Sequence, residues 1–425
     1  MEEGFLHFIW KFQQFNSRDL KTDTGKQITV LHPGFKNMDA GPDFSNAKIK
    51  IGEITWNGNV EIHVNAKDWS RHNHHKDKAY DNVILHVVWT VDASVSREDN
   101  TIIPAFELKN VVDKKLLDNY HQLFEPGDDI LCRRFLNEIK PITIFSMLDK
   151  TLAQRLESKS EAIFREIALT GNDWEEITWR MLCRNFGFKT NVFPFAELGK
   201  SIPLKIIKRE SQNLQTVEAI LFGQAGFLEE NLEDSYFVDL KQEYIFRRKK
   251  YGLERRLDKH QWKFLRMRPA NFPTIRIAQL AALVSIQSNL FSLFMDFSSI
   301  SELKKSLEVI QSGYWRKHYN FGSLSQSQSG KFGTSSVENV LINTVAPLLF
   351  AYGIHKDQEE LKEKSMEVLS SVKPEINSIT KKWKANGIDL KSAFDSQALI
   401  EMYNQYCLKK RCLNCSIGTE IISGK

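Results

Sequence analysis

The sequence predicts an α+β chain of α/β character in its first part. A mixed sheet flanked by helices is expected over residues 1–125, and a mainly α-helical region over 126–425. Three observations predict this. Short apolar runs with a period of two fill the first part. A 3.6-residue periodicity runs nearly to the end from about residue 140. Between them stands "EPGDD" at 125–129, where Pro126 and Gly127 break both periods.

Taken in order, Phe5, Phe8, Ile9 and Phe12 recur at helical spacing with Leu6 and Trp10 beside them, which predicts a first helix. The runs "QITVLHP", "NAKIKI", "ITWNGNVEIHV", "NVILHVVWTV" and "TIIPAFELK" follow as strands. Ala47, Ile49 and Ile51 alternate with Lys48 and Lys50, and Val60, Ile62 and Val64 alternate with Glu61 and His63, so both strands are half-buried. "VILHVVW" is almost continuously apolar and reads as a central strand. "DWSRHNHHKDKAYDN" is a turn followed by a short helix or irregular crossover. Helix, strands, crossover and strand make an α/β arrangement. Beyond 140, "ITIFSMLDKTLAQRLESKSEAIFREI", "EEITWRMLCRNFGF", "TIRIAQLAALVSIQSNLFSLFMDF" and "EELKEKSMEVLSSV" predict helices. "SLSQSQSGKFGTSS" at 323–336 predicts a flexible loop.

The 425 residues are 42% hydrophobic and 26% charged, an ordinary globular composition. A net charge of +5 is compatible with a nucleic-acid partner without requiring one. No apolar run approaches the roughly 20 residues that span a bilayer, so no membrane partner is expected. The start, "MEEGFLHFIWKFQQF", lacks the basic region of a signal peptide, which predicts a cytoplasmic protein. Five cysteines in such a chain argue against a disulfide framework.

The chemistry centres on three residues. Glu61 and His63 are two apart on a predicted strand and project from one face, about 7 Å apart along it. Asp43 follows Gly41-Pro42 at the start of the preceding strand. Two carboxylates offer hard oxygen ligands for Mg²⁺ or Mn²⁺, and a neighbouring base can orient or deprotonate water. Register decides whether they meet. A hairpin at Gly52-Glu53 pairs Ile51 with Ile54 and sets Asp43 opposite Ile62, so a bulge near Pro42 is then required. The alternative hairpin at Asn57-Gly58 carries the stronger turn signal and pairs other residues. His72, His74 and His75 would join His63 and Asp77 in a zinc or iron site, or would simply be polar turn residues. His86, inside an apolar strand, reads as a core histidine.

"GPDF" followed by "VEIH" resembles the signature of the PD-(D/E)XK nuclease superfamily. The resemblance covers about the first quarter of the chain. It implies a restriction-endonuclease-like core, metal ligation by Asp43 and Glu61, and nucleic-acid cleavage. His63 stands where that family places a lysine; it can ligate metal or act as a base, but carries no fixed charge. Two alternatives follow: a non-catalytic nucleic-acid-binding or scaffold protein keeping a degenerate nuclease fold, and a histidine-ligated metalloenzyme acting on a small molecule.

Two later features add candidates. Segment 246–276 carries Arg247, Arg248, Lys249, Lys250, Arg255, Arg256, Arg266, Arg268 and Arg276, interleaved with Tyr251, Trp262 and Phe272. Cations for phosphates and aromatics for bases suit a nucleic-acid groove; a solvated helix face produces the same pattern. Near the end, Cys407-x4-Cys412-x2-Cys415 has metal-knuckle spacing for zinc or an iron–sulfur cluster, with Cys132, Cys183 or a histidine as fourth ligand. Over almost its full length the chain closely resembles an uncharacterised bacterial domain family. "HPGFKNMDAGPDFSNAKIKI", "GNVEIHVNAKDW", "LFGQAGFL", "RMRPANFPTIRIAQLA" and "CLNC" carry that resemblance, which implies no particular activity.

Overall fold

Helix α1 (Glu3–Lys11) forms where the apolar spacing places it, burying Phe5, Leu6, Phe8, Ile9 and Trp10. Glu3 in its first turn and Lys11 in its last complement the helix dipole. The computed structural model describes residues 1–424 apart from positions 255, 327 and 329.

After α1 come β1 (Ile28–His32), β2 (Phe35–Lys36), β3 (Phe44–Ile51) and β4 (Ile54–Asn65). A short helix, α2 (Asp68–Arg71), and two 3₁₀ turns, His74–Lys76 and Lys78–Tyr80, lead to β5 (Val83–Thr90). Strands β6 (Val95–Ser96), β7 (Ile102–Ile103) and β8 (Ala105–Glu107) follow. The main sheet has six strands in the order β1-β3-β4-β5-β8, with β2 paired to β3. β1, β3 and β4 form an antiparallel meander; β5 is parallel to β4, and β8 to β5. The continuous apolar run of β5 follows from this, since a strand with parallel neighbours on both sides is covered on both faces.

The hairpin falls at Gly52-Glu53, with Ile51 opposite Ile54 and Gly52 at φ +59°. Asn57-Gly58 makes no turn: it lies within β4, Gly58 opposite Ala47. Glycine is there for packing, because a Cβ at position 58 would stand 2.4 Å from the Ile84 side chain.

Two compact units are present, one of Met1–Met147 with Met402–Lys425 and one of Leu148–Glu401. The division falls inside the long helix Pro141–Leu169, and Pro126 lies within the first unit. The C-terminal helix Ser416–Ser423 packs on the helix Lys114–Leu123, where the Asn119 side-chain amide donates to the carbonyls of Ile421 and Ile422 at 3.2 Å.

The second unit is helical in its described residues except for a small two-stranded sheet, His318–Asn320 with Ser323–Leu324. Its second strand occupies the start of segment 323–336, whose residues 327 and 329 are outside the described residues. Helix Thr334–Lys356 departs from expectation, being long and apolar enough to cross a membrane; 72% of its apolar window is buried inside the protein.

Candidate metal centre

The register near Asp43 is set by one bulge. Ile51 pairs with Ile54, Lys50 with Thr55 and Ile49 with Trp56, but Phe44 pairs with Val60, one residue short of that count. The extra residue is absorbed between Phe44 and Ala47, where Asn46 sits at φ +58°. Asparagine tolerates this left-handed conformation better than most residues. The slip turns Asp43 toward Glu61. The Asp43 N–H donates to Glu61 Oε2 at 3.0 Å, and the Ile62 N–H donates to Asp43 Oδ2 at 3.1 Å.

The crossover supplies the histidines. His72 follows the last turn of α2 and His74 opens the next 3₁₀ turn, with Asn73 between them at φ +61°. This single left-handed residue reverses the chain so that both imidazoles reach His63. Buried Trp69 packs against His74 and His86, and Tyr80 stacks on His74 at 3.8 Å. The rings are thus held from behind by apolar contacts.

The donor atoms converge. His63 Nε2 lies 3.2 Å from His72 Nδ1 and 3.6 Å from Glu61 Oε1, and His74 Nε2 lies 3.4 Å from the same Oε1. Bonds of about 2.05 Å at tetrahedral angles put ligand atoms roughly 3.3 Å apart, so these spacings fit one ion. His63 Nδ1 is 2.9 Å from His86 Nε2. His86 is fully buried, as expected of a core histidine; ligation through Nε2 of His63 would require its Nδ1–H to donate to His86. His75 has a buried Nδ1 without a partner among the described residues and stays outside this group.

A second group lies against the first. Glu3, His7 and Asp43 bring their ligand atoms within 4.8 Å of one another, as do His63, His72 and His74. His7 Nε2 is 3.1 Å from Asp43 Oδ2, and Lys36 Nζ is 2.9 Å from His7 Nδ1. Glu3 and His7 were invisible as site residues in the sequence. Their i, i+4 spacing on one helix face was the signal that could have raised them, masked by the apolar pattern of α1.

Burial governs the electrostatics. Glu61 is 5% exposed; desolvation, then the Asp43 charge, push its carboxyl up to about 9. Desolvation and the neighbouring imidazoles hold His63 down to about 3, and desolvation holds His86 down to about 4. His74 is lowered for the same first reason. The imidazoles of His63, His72 and His74 beside Glu61 and Asp43 are a donor set that could hold a metal ion.

The other sequence candidates are placed differently. In the second unit, Arg247 pairs with Glu210 at 2.6 Å and Glu243 at 2.8 Å, Lys250 pairs with Glu210 at 2.9 Å, and Arg256 pairs with Glu229. Arg276 points inward: it is 8% exposed, bonds Asn271, Gln279 and Ser336, and lies over the Phe188 ring. Lys249, Arg266 and Arg268 are exposed, and Arg255 lies outside the described residues. Lys241, Tyr244, Arg248, Lys249 and Arg256 line one groove.

Among the cysteines, Cys132, Cys407, Cys412 and Cys415 all belong to the first unit and lie within electrostatic reach of one another. Burial, then the neighbouring cysteines, raises the thiols of Cys132, Cys407 and Cys412, the last to about 12. No three of their sulphurs gather within 4.8 Å among the described residues. Thiolates on a single zinc ion stand at most about 4.6 Å apart, so no zinc site is preassembled here. Cys183 belongs to the second unit, against Gly199.

No curated protein and no solved structure matches the chain. A family model does, over residues 3–378, a span that includes every histidine and carboxylate of the centre and stops short of the C-terminal cysteines. The chain belongs to that family, described as a protein of unknown function (DUF2851).

Proposed function

We propose that the first unit is a metal-dependent phosphodiesterase that cleaves nucleic acid. The observation that carries this reading is the meeting of Asp43, just before β3, with Glu61 on the adjacent β4, with His63 two residues on, in an antiparallel meander followed by a parallel strand. That placement resembles the PD-(D/E)XK arrangement in strand order as well as in motif. A bound divalent ion polarises a phosphoryl oxygen and acidifies water. The chain's own residues do the rest. Asp43 is positioned by the Ile62 N–H, and Glu61 by the Asp43 N–H. His63, held by His86, takes a ligand's place, and the attacking water gives its proton to bulk solvent. Water's oxygen bonds phosphorus as the ester P–O bond breaks. Lys36, on β2 beside Asp43, supplies the fixed positive charge that His63 lacks. Three imidazoles beside the carboxylates favour Mn²⁺ over Mg²⁺.

The test is cleavage of mixed DNA and RNA substrates with Mn²⁺ or Mg²⁺, Glu61→Ala beside the native chain. Loss of at least about a hundredfold in the variant supports the reading. Absence of cleavage by the native chain with either ion refutes it.

The His63, His72, His74 and Glu61 spacings favour a second reading, a histidine-ligated metalloenzyme acting on a small molecule, which tightly held zinc or iron without nucleic-acid cleavage would select. For the cysteines, we infer a four-thiolate site completed by Cys132. Its support is the packing of 131–138 and 412–414 on the last helix, which places Cys132 in the same part of the first unit as the C-terminal cysteines. An iron–sulfur cluster, which sets several metal atoms between its thiolates, is the form this proposal takes.

A further inference from the structure

The donor set around Glu61 is larger than one ion needs. His63, His72 and His74 form one group of three, and Glu3, His7 and Asp43 form another with no member in common. Glu61 stands between them and shows a different oxygen to each. Its Oε1 faces His63 and His74 at 3.6 and 3.4 Å, and its Oε2 accepts from the Asp43 N–H at 3.0 Å. On the Asp43 side, His7 Nε2 is 3.1 Å from the carboxylate yet makes no hydrogen bond to it. The two atoms are close without one aiming at the other, as happens when both face a common third point. Helix α1 packs on β4, so this contact is built into the core of the unit.

We infer that the site holds two divalent cations. His63, His72 and His74 bind one, Glu3, His7 and Asp43 bind the other, and the Glu61 carboxylate bridges them. The inference rests on the metal-dependent reading above and extends it by an ion and by two ligands on α1. A carboxylate bridge sets ions about 3.5–4 Å apart, the separation at which a pair clamps the attacking and leaving oxygens of a phosphate ester. The two positions differ in kind. Three imidazoles select a transition metal, whereas two carboxylates and one imidazole accept a harder ion such as Mn²⁺ or Mg²⁺. Ligation through His7 Nε2 moves the ring proton to Nδ1, so the exposed Lys36 ammonium must leave His7 as the ion enters. It is thereby freed for the substrate phosphate.

The experiment is metal analysis of the full chain, stripped with chelator, reloaded with Mn²⁺ and desalted, with electron paramagnetic resonance on the same samples. The expected result is two Mn²⁺ per chain with the spectrum of an exchange-coupled pair. Glu3→Gln and His7→Ala should each lose one ion and the coupling, leaving an uncoupled Mn²⁺. His72→Ala should lose the other ion. Glu3→Gln alters the first turn of a helix without touching its buried face, so it guards against a folding defect in His7→Ala. One ion in the native chain, or two that persist in both α1 variants, overturns the inference. Because no substrate is present, the count is independent of cleavage. A native chain that cleaves with one ion refutes only the pair, and one that binds two without cleaving refutes only the nuclease reading.

Discussion

Replacing Glu61 by glutamine should stabilise the metal-free protein while disabling it. Glu61 is 5% exposed, and burial with Asp43 beside it raises its carboxyl from 4.5 to about 9. A folded pKa above the unfolded one means that the proton binds the folded state more tightly. The stability linked to this group is therefore complete below pH 4.5 and is lost as pH rises toward 9. At about pH 7 the loss has reached about 3 kcal/mol, from about 1.4 kcal/mol per pH unit. Glutamine keeps an oxygen for the Asp43 N–H and carries no charge, so Glu61→Gln should recover most of that. For a unit of this size about 3 kcal/mol corresponds to a melting temperature about 6–12 °C higher. The assay is thermal unfolding in chelator at several pH values, repeated with Mn²⁺. The gain should vanish near pH 4.5 and grow with pH up to about 9, because its origin is ionisation of the glutamate in the unfolded chain. With Mn²⁺ at about a thousand times its Kd the order should reverse, since a ligand that binds only the folded state then adds about 4.1 kcal/mol and the variant forgoes most of it. A variant no more stable than the native chain in chelator, or one with the full Mn²⁺ shift, would refute the account of Glu61 as a buried carboxylate awaiting a cation.

The remaining predictions concern groups away from that carboxylate. In the second unit, fully buried Glu218 is raised to about 7 by desolvation, opposed by hydrogen bonds from Tyr236 and Ser312. Its stability contribution is lost from pH 4.5 up to about 7, so urea unfolding should show about 3 kcal/mol of decline that Glu218→Gln removes; an unchanged pH profile in the variant would count against it. For the cysteines, chain purified without oxygen should carry iron and acid-labile sulfide, both lost in Cys132→Ser; a native chain with neither metal nor sulfide would end the cluster reading.

Periodicity in the sequence located α1, the meander and the central strand, because a residue's burial on a helix or strand is written in its immediate neighbours. Asp43, Glu61 and His63 were legible for the same reason: a carboxylate at a strand start and a polar pair inside an apolar alternation stand out locally. The strong Asn57-Gly58 turn signal misled, since a glycine needed for close approach to Ile84 looks identical in sequence to one needed for a turn. What folding alone decided is non-local. A one-residue bulge at Asn46 turned Asp43 toward Glu61, and a left-handed Asn73 brought His72 and His74 onto His63. Glu210, Glu243 and Glu229 paired with Arg247, Lys250 and Arg256 of the basic segment, and burial took Arg276 out of it. Likewise His7 and Glu3 met Asp43 only because α1 packs against β4, and Cys132 shares the first unit with Cys412 and Cys415 only because the last helix returns to it. Register, crossover path and helix docking depend on contacts between residues far apart in the chain, and no local pattern encodes which distant partner will fill a given face.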